Sequence, residues 1–97
     1  MDIQKMIKEI DYKIPNGKLI RVEAEIEKEK LKNLKITGDF FMHPEESIEL
    51  IESSVKGKIL KREEIEKSIR EVIRKNKIQL LGISEKDFVD ALMKLKS

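Results

Sequence analysis

The sequence contains no cysteine among its 97 residues. Without thiols the chain cannot form disulfides, thiolate metal sites or iron–sulfur ligation, and it cannot use a thiol as a nucleophile. No run of apolar residues approaches the roughly 20 that a membrane-spanning helix needs. The first residues lack the apolar segment of a signal peptide. We therefore expect a cytoplasmic protein.

Aromatic residues are also scarce, at 4% of the chain, so the core must be mainly aliphatic. Charged residues make up 41%, with 21 Lys and Arg against 19 Asp and Glu. Because positive and negative charges are so evenly mixed, the sequence does not indicate a basic surface patch. We therefore expect neither a nucleic-acid nor a membrane partner. A chain of this length fits one domain, residues 1–97.

Alternation of apolar and charged residues predicts three strands, at about residues 7–14, 18–28 and 34–40. Asn16-Gly17 between the first two runs is a strong hairpin signal, because both residues adopt positive φ readily. A polar turn is predicted from Glu29 to Asn33, since asparagine suits turn conformations. The result is an antiparallel meander.

The spacing of apolar residues changes from that of a strand to that of a helix at His43-Pro44. Pro44 suits the first turn of a helix. Apolar spacings of three and four predict helices over residues 44–56 and 62–76. Ser84 and Asp87 predict the capped start of a third helix. The predicted fold class is α+β, a three-stranded antiparallel meander packed against about three helices.

The residues that carry catalysis in other proteins are isolated in this sequence. His43 is the only histidine and cannot form a metal site without carboxylates at a suitable spacing. The four glycines are separated, so no phosphate-binding loop is present. We therefore predict no catalytic residue and no metal site in this chain.

Phe40 and Phe41 are the exception to this pattern. Neighbouring residues of a strand point to opposite faces, so one ring can enter the core while the other is exposed as a contact for a partner. The alternative is that the following helix folds back and buries both rings. The sequence leaves these two interpretations evenly balanced.

Two segments, residues 16–22 (NGKLIRV) and 35–45 (KITGDFFMHPE), resemble the accessory domain of lipoate–protein ligases. The resemblance is closest to the free-standing small subunit of the split archaeal-type enzyme and extends from about residue 8 to residue 95. It implies a fold similar to that of sulfur-transfer and iron–sulfur scaffold proteins, although this chain has no cysteine for their chemistry.

The resemblance implies a non-catalytic partner of a catalytic subunit, in a heterodimer that activates lipoate with ATP to lipoyl-adenylate. Lipoate, ATP and Mg would bind the catalytic subunit and not this chain alone, and lipoyl carrier domains would be indirect partners. Eight residues are expected near the partner or the adenylate: Gly17, Lys18, Gly38, Asp39, Phe40, Phe41, His43 and Pro44.

Two other interpretations stay open. The chain could be a stand-alone protein-binding or scaffold module of the same fold, which would not co-purify with a ligase catalytic subunit. A nucleic-acid-binding domain is suggested only by a sequence pI of about 8.8 and would show salt-dependent binding. Lys18 could supply a cation to a phosphate or could be solvated beside the hairpin.

Overall fold

A computed structural model describes residues 5–15 and 18–96, with the side chain of Lys5 excluded. Its elements in chain order are β1 (Lys5–Lys13), β2 (Leu19–Glu27), β3 (Lys30–Gly38), β4 (Phe41–His43), α1 (Ser47–Val55), α2 (Arg62–Asn76), β5 (Gln79–Leu81), α3 (Glu85–Met93) and a final 3₁₀ turn (Lys94–Lys96). The predicted α+β class is confirmed, with a three-stranded antiparallel sheet in the order β1-β2-β3 and three helices.

The alternation along β2 explains how the sheet is packed. Ile20, Val22, Ala24 and Ile26 are buried, whereas the intervening Arg21 and Glu23 are exposed. One face of the sheet therefore meets the helices and the other meets water, as antiparallel sheets commonly do. Burying these aliphatic side chains with those of the helices supplies the main stabilisation of the fold.

The first hairpin has the predicted pairing, with Lys13 opposite Leu19 and the Ile14 amide donating to the Lys18 carbonyl at 2.9 Å. The Asn16-Gly17 turn lies outside the described residues. β1 begins at Lys5 and ends at Lys13, slightly earlier than the predicted 7–14.

The predicted turn from Glu29 to Asn33 is wrong. The chain reverses at Lys28 and Glu29, both with positive φ, and β3 already begins at Lys30. Asn33 pairs with Glu25 inside the strand. A β-bulge inserts Lys32 between the residues that lie opposite Ile26 and Glu25, so Leu31 and Leu34 are not in one alternating series. The start of β3 therefore cannot be recognised from the alternation of apolar residues.

Helix α1 starts at Ser47, three residues after the predicted start at Pro44. The physical reason is that His43 still belongs to β4, where it pairs with Gln79. At its far end the helix ends at Val55, shortly before Gly57, which has φ +85°. The Glu52 carboxylate of α1 accepts a hydrogen bond from the Ile36 amide of β3 at 2.7 Å and so satisfies part of that edge strand.

The second and third helices match their predictions closely. Helix α2 spans Arg62–Asn76, and the predicted capping box of Ser84 and Asp87 opens α3. The two helices are joined by Asp90, which accepts from Arg62 and Lys86 at 2.8 Å each. Burial raises the pKa of Asp90, but these two hydrogen bonds outweigh that effect and hold the pKa below its usual range.

Candidate functional site

The short strand β5, which was not predicted from the sequence, positions the candidate site. β5 pairs antiparallel with β4, with Phe41 opposite Leu81, Met42 opposite Leu80 and His43 opposite Gln79. Because side chains alternate along a strand, Met42 and Leu80 face inward while the other four residues form one outer face. Met42 is buried, whereas Phe41 and Leu81 are 73% and 58% exposed. We call this outer face, formed by Phe41, His43, Gln79 and Leu81, the Phe41–Leu81 face.

The two neighbouring phenylalanines have opposite environments. Phe40 is half-buried and packs edge-on against the buried Phe88, with ring centroids 5.4 Å apart and ring planes at 81°. Phe41 remains exposed, so the interpretation that the following helix buries both rings is wrong. Helix α1 lies near β4 but leaves the Phe41 side chain exposed. One ring therefore anchors the segment and the other presents an apolar surface.

Gly38 allows the chain to pass closely beneath Phe40. A Cβ atom at this position would collide with the Leu19 carbonyl oxygen and would lie 2.7 Å from Phe40 Cε2. The next residue, Asp39, is exposed and donates its amide to the same Leu19 carbonyl at 3.1 Å. In this structure Gly38 and Asp39 fix the approach to β4 and set the position of both phenylalanines.

Lys18 reaches the same end of the molecule from the first hairpin. A Cβ atom built on Gly82 would lie 2.8 Å from Lys18 Cε and 3.1 Å from its Cδ, so the lysine stem lies against the Gly82 backbone. Gly82 directly follows Leu81 and has φ +83°, a conformation that glycine adopts without strain. The structure therefore brings Lys18 beside the Phe41–Leu81 face. Gly17 lies outside the described residues.

His43 and Pro44 form the transition from β4 to α1. Both are exposed, and the Pro44 carbonyl accepts from the Ser47 amide at 3.0 Å. The Ser47 hydroxyl is buried and has no hydrogen-bond partner among the residues described. Over residues 5–15 and 18–96, no three His, Cys, Asp or Glu side chains are grouped in a way that could hold a metal ion.

A shallow groove of about 320 Å³ continues from Phe41 toward helix α1. Its lining residues are Ile36, Thr37, Gly38, Phe40, Phe41, Met42, Glu45 and Ile48. The apolar surface is therefore not limited to the Phe41 and Leu81 side chains. It is extended enough to receive a complementary side chain from another protein.

Sequence reasoning identified Phe41 and Lys18 but missed Leu81, Gln79 and the contact with Gly82. A strand of three residues is too short to show an alternation of apolar and polar residues, so β5 was not predicted. A weak signal was present, because the apolar residues Leu80 and Leu81 directly precede Gly82, and an isolated glycine often marks a turn. No local signal could have predicted which strand Leu81 pairs with.

No helix among the residues described is both long and apolar enough to cross a membrane.

Three comparisons with known proteins agree with one another. The family model described as bacterial lipoate protein ligase C-terminus matches residues 4–92. Lipoate-protein ligase A subunit 2 of Thermoplasma acidophilum is 35% identical over 82 residues, which cover 84% of this chain and 83% of that protein.

A solved structure with a similar chain comes from an archaeal lipoylation system, a bipartite lipoate protein ligase and its E2 lipoyl domain from Thermoplasma acidophilum. The TM-score is 0.79 at 32% identity, and the match covers 91% of this chain and 96% of that chain. The family match spans residues 4–92 and so includes both strands that carry the Phe41–Leu81 face. The chain belongs to the family of lipoate protein ligase C-terminal domains.

Proposed function

We propose that this chain is the non-catalytic accessory subunit of a two-component lipoate–protein ligase. In this role it would support the ATP-dependent activation of lipoate to lipoyl-adenylate by a catalytic subunit, before the lipoyl group is transferred to a lysine of a carrier domain. One observation carries the proposal. The match to a protein named as subunit 2 of a ligase covers more than four fifths of both chains.

The Phe41–Leu81 face is the surface that we propose for docking on the catalytic subunit. It presents an exposed aromatic ring next to an exposed leucine, with the groove toward α1 beside them. Aromatic residues are enriched in the cores of protein interfaces, and a few buried anchors usually supply most of the binding energy. Phe41 has the size and the exposure of such an anchor.

Lys18 is the residue through which the docked chain could affect the chemistry. Its stem lies over Gly82, beside Leu81, so a partner that covers the Phe41–Leu81 face would also lie close to Lys18. An ammonium group near the reacting phosphates would stabilise the charge that develops during adenylation. The same proposed contact region includes residues that shape or border this face: Gly38, Asp39, Phe40, His43 and Pro44. Gly17 lies outside the described residues and is proposed for this region from the sequence alone.

Lipoate, ATP and Mg would be held by the catalytic subunit, and carrier domains would be contacted through it. The proposal therefore assigns this chain a positioning role and no bond-making step. We further propose that the complex is a heterodimer and that it works in the cytoplasm, where ATP is available.

The experiment that tests the proposal measures lipoyl-adenylate formation by the catalytic subunit with and without this chain. We expect the rate and yield to increase severalfold when the chain is added in equimolar amount. Unchanged rate and yield would contradict the accessory function. Lys18→Ala is tested in the same assay, and if it has no effect only the role of Lys18 is lost.

A further inference from the structure

Two other segments of the chain bond to the outer edge of β3. Near the start of the strand, Leu31 donates its amide to the Lys58 carbonyl at 2.9 Å and accepts from the Gly57 amide at 2.6 Å. Further along, the Ile36 amide donates to the Glu52 carboxylate of α1 at 2.7 Å. Contacts of this kind protect an edge strand against pairing with another protein, so β3 is protected at Leu31 and at Ile36.

Gly38, the last residue of β3, lies beyond this protection. The backbone groups of an antiparallel strand alternate between its two sides. The Asp39 amide donates to the Leu19 carbonyl of β2 at 3.1 Å, whereas the Ile36 amide points away from β2 toward Glu52. Gly38 therefore directs its amide and its carbonyl away from β2, as Ile36 does. Gly38 is exposed, and neither of these groups has a hydrogen-bond partner among the residues that the structure describes.

The groove that begins at Phe41 lies beside this open end of β3. Gly38 is one of its lining residues, and two others, Ile36 and Met42, are buried and apolar. Phe41 lines the groove and also belongs to the Phe41–Leu81 face, so a partner docked on that face reaches the groove as well. Open backbone groups beside an apolar groove are typical of sites that bind an extended segment by adding it to a sheet.

The surroundings of the groove are acidic. From Ile36 to Glu49 the sequence contains four acidic residues, Asp39, Glu45, Glu46 and Glu49, and no lysine or arginine. All four are exposed, and Glu45 lines the groove itself. Because interfaces are complementary in charge, a partner that fits this surface carries lysine or arginine.

We propose that an extended segment of the catalytic subunit adds antiparallel to β3 at Gly38, with an apolar side chain in the groove and a lysine or arginine next to it. The residue opposite Gly38 accepts from the Gly38 amide and donates to its carbonyl. Opposite residues share a face of the sheet, so its side chain lies on the side of the buried Ile36 and enters the groove. The following residue lies on the side of the exposed Asp39, where a basic side chain meets the carboxylate. The inference rests on the proposed function and names the part of the partner that this end of β3 holds.

Hydrogen exchange of the backbone amides tests the strand addition, measured by NMR spectroscopy on the free chain and on its complex with the catalytic subunit. Exchange of the Gly38 amide should slow about tenfold in the complex, because the amide gains an acceptor. The Glu9 amide is the control. By the same alternation Glu9 directs its amide away from β2 at the opposite edge of the sheet, so its exchange should stay unchanged.

Charge reversals test the kind of segment that is bound. Asp39→Lys and Glu45→Lys should each weaken binding to the catalytic subunit about tenfold in calorimetric titration, because like charges then face each other. Glu64→Lys is the matched control, since Glu64 is an exposed acidic residue in the first turn of α2 and does not line the groove. The same change of charge at this position should leave the affinity unchanged.

An unchanged Gly38 exchange rate in a complex that forms would overturn this inference and would not affect the accessory function. Wild-type affinity in both Asp39→Lys and Glu45→Lys would have the same consequence. Equal slowing at Gly38 and Glu9, or an equal loss of affinity in Glu64→Lys, would also overturn it, because neither effect would then be specific to this edge. If the wild-type chain forms no complex at all, the inference and the proposed function are both wrong.

Discussion

Phe41 lies directly opposite Leu81 in the β4–β5 ribbon, and both side chains are exposed while the adjacent pair, Met42 and Leu80, faces inward. Helices α1 and α2 separate these two strands in the sequence, so only the tertiary fold assembles the apolar pair. Exposed aromatic and aliphatic side chains that are paired in this way indicate an interaction surface. The first prediction follows from this pair.

Phe41→Ser should separate binding from stability. The side chain is 73% exposed, so the free energy of unfolding should change by no more than about 0.5 kcal/mol. Binding to the catalytic subunit should weaken at least tenfold, because the proposed anchor is removed. Chemical unfolding and calorimetric titration with the catalytic subunit measure the two quantities.

Ile7→Ser is the matched control for Phe41→Ser. Ile7 is also an apolar strand residue and is 81% exposed, but it lies in β1, opposite Glu25 of β2. Its replacement should leave affinity for the catalytic subunit unchanged. An equal loss of affinity in both variants would show that general surface hydrophobicity, and not the Phe41–Leu81 face, drives the association.

Gly82→Ala compared with Gly57→Ala tests the contact between Gly82 and Lys18. Both glycines have positive φ, +83° and +85°, so each alanine should cost about 1 kcal/mol of backbone strain. Only the Cβ at position 82 meets Lys18, whereas the one at position 57 has nothing within 4 Å. The flexible lysine stem should move aside, so the two variants should have similar unfolding free energies.

The distinguishing measurement is the environment of the Lys18 side chain. Its methylene resonances should shift in Gly82→Ala and stay unchanged in Gly57→Ala. If Lys18 assists adenylation, Gly82→Ala should also lower the rate of lipoyl-adenylate formation while Gly57→Ala does not. Identical Lys18 spectra in both variants would show that the stem does not lie against Gly82.

Gly38→Ala should be much more destabilising than Gly82→Ala or Gly57→Ala. The added methyl would meet the Leu19 carbonyl oxygen, which belongs to the backbone of β2 and cannot move aside independently. We expect a loss of about 2–3 kcal/mol, typical of forcing an extra methyl group into a packed site. Urea unfolding of Gly38→Ala and Gly57→Ala measures the difference between their free energies of unfolding. Equal losses in the two variants would contradict the close approach of Gly38 to the Leu19 carbonyl oxygen.

The sequence predicted those elements whose apolar pattern repeats over several helical turns or over several residues of a strand. The apolar stripe of α2 predicted that helix residue by residue, and Ser84 and Asp87 predicted the start of α3, because both signals are local. The strand β2 was recognised for the same reason, since its inward and outward residues alternate along its whole length.

The elements that the sequence did not predict depend on distant partners or on an interrupted period. The bulge at Lys32 breaks the alternation of β3, so its first residues were predicted as a turn. The turn at Lys28 and Glu29 adopts positive φ without the glycine or asparagine that usually favours it. The position of Leu81 opposite Phe41 depends on how the helices pack, so it could not be predicted from the sequence of β4 or of β5 alone.

Asp90→Asn should reveal a pH-dependent contribution to stability. The pKa of Asp90 is lower in the folded chain than its ordinary value near 3.8, so the folded state favours the carboxylate. The contribution should be complete above that ordinary value and should disappear as the pH falls through the lowered folded-state pKa. We expect Asp90→Asn to be about 1 kcal/mol less stable than wild type at pH 7. This difference should shrink below pH ~4, where the Asp90 carboxyl group of the unfolded chain begins to protonate while that of the folded chain is still ionised.

The measurement is urea unfolding of both proteins at pH 7, pH 5 and about pH 2.5. Asp39→Asn is the control, since its exposed carboxylate forms no ion pair with the residues that the structure describes. A stability difference for Asp90→Asn that stays constant across this range would contradict the assigned direction of the pKa change.

Sedimentation velocity of an equimolar mixture with the ligase catalytic subunit tests the central proposal most directly. The account predicts a one-to-one complex with the wild-type chain and with Ile7→Ser, and mainly free subunits with a Phe41→Ser/Leu81→Ser double variant that is folded to the same extent. Free subunits with the wild-type chain would contradict the accessory assignment, and an undiminished complex with the double variant would contradict the proposed surface.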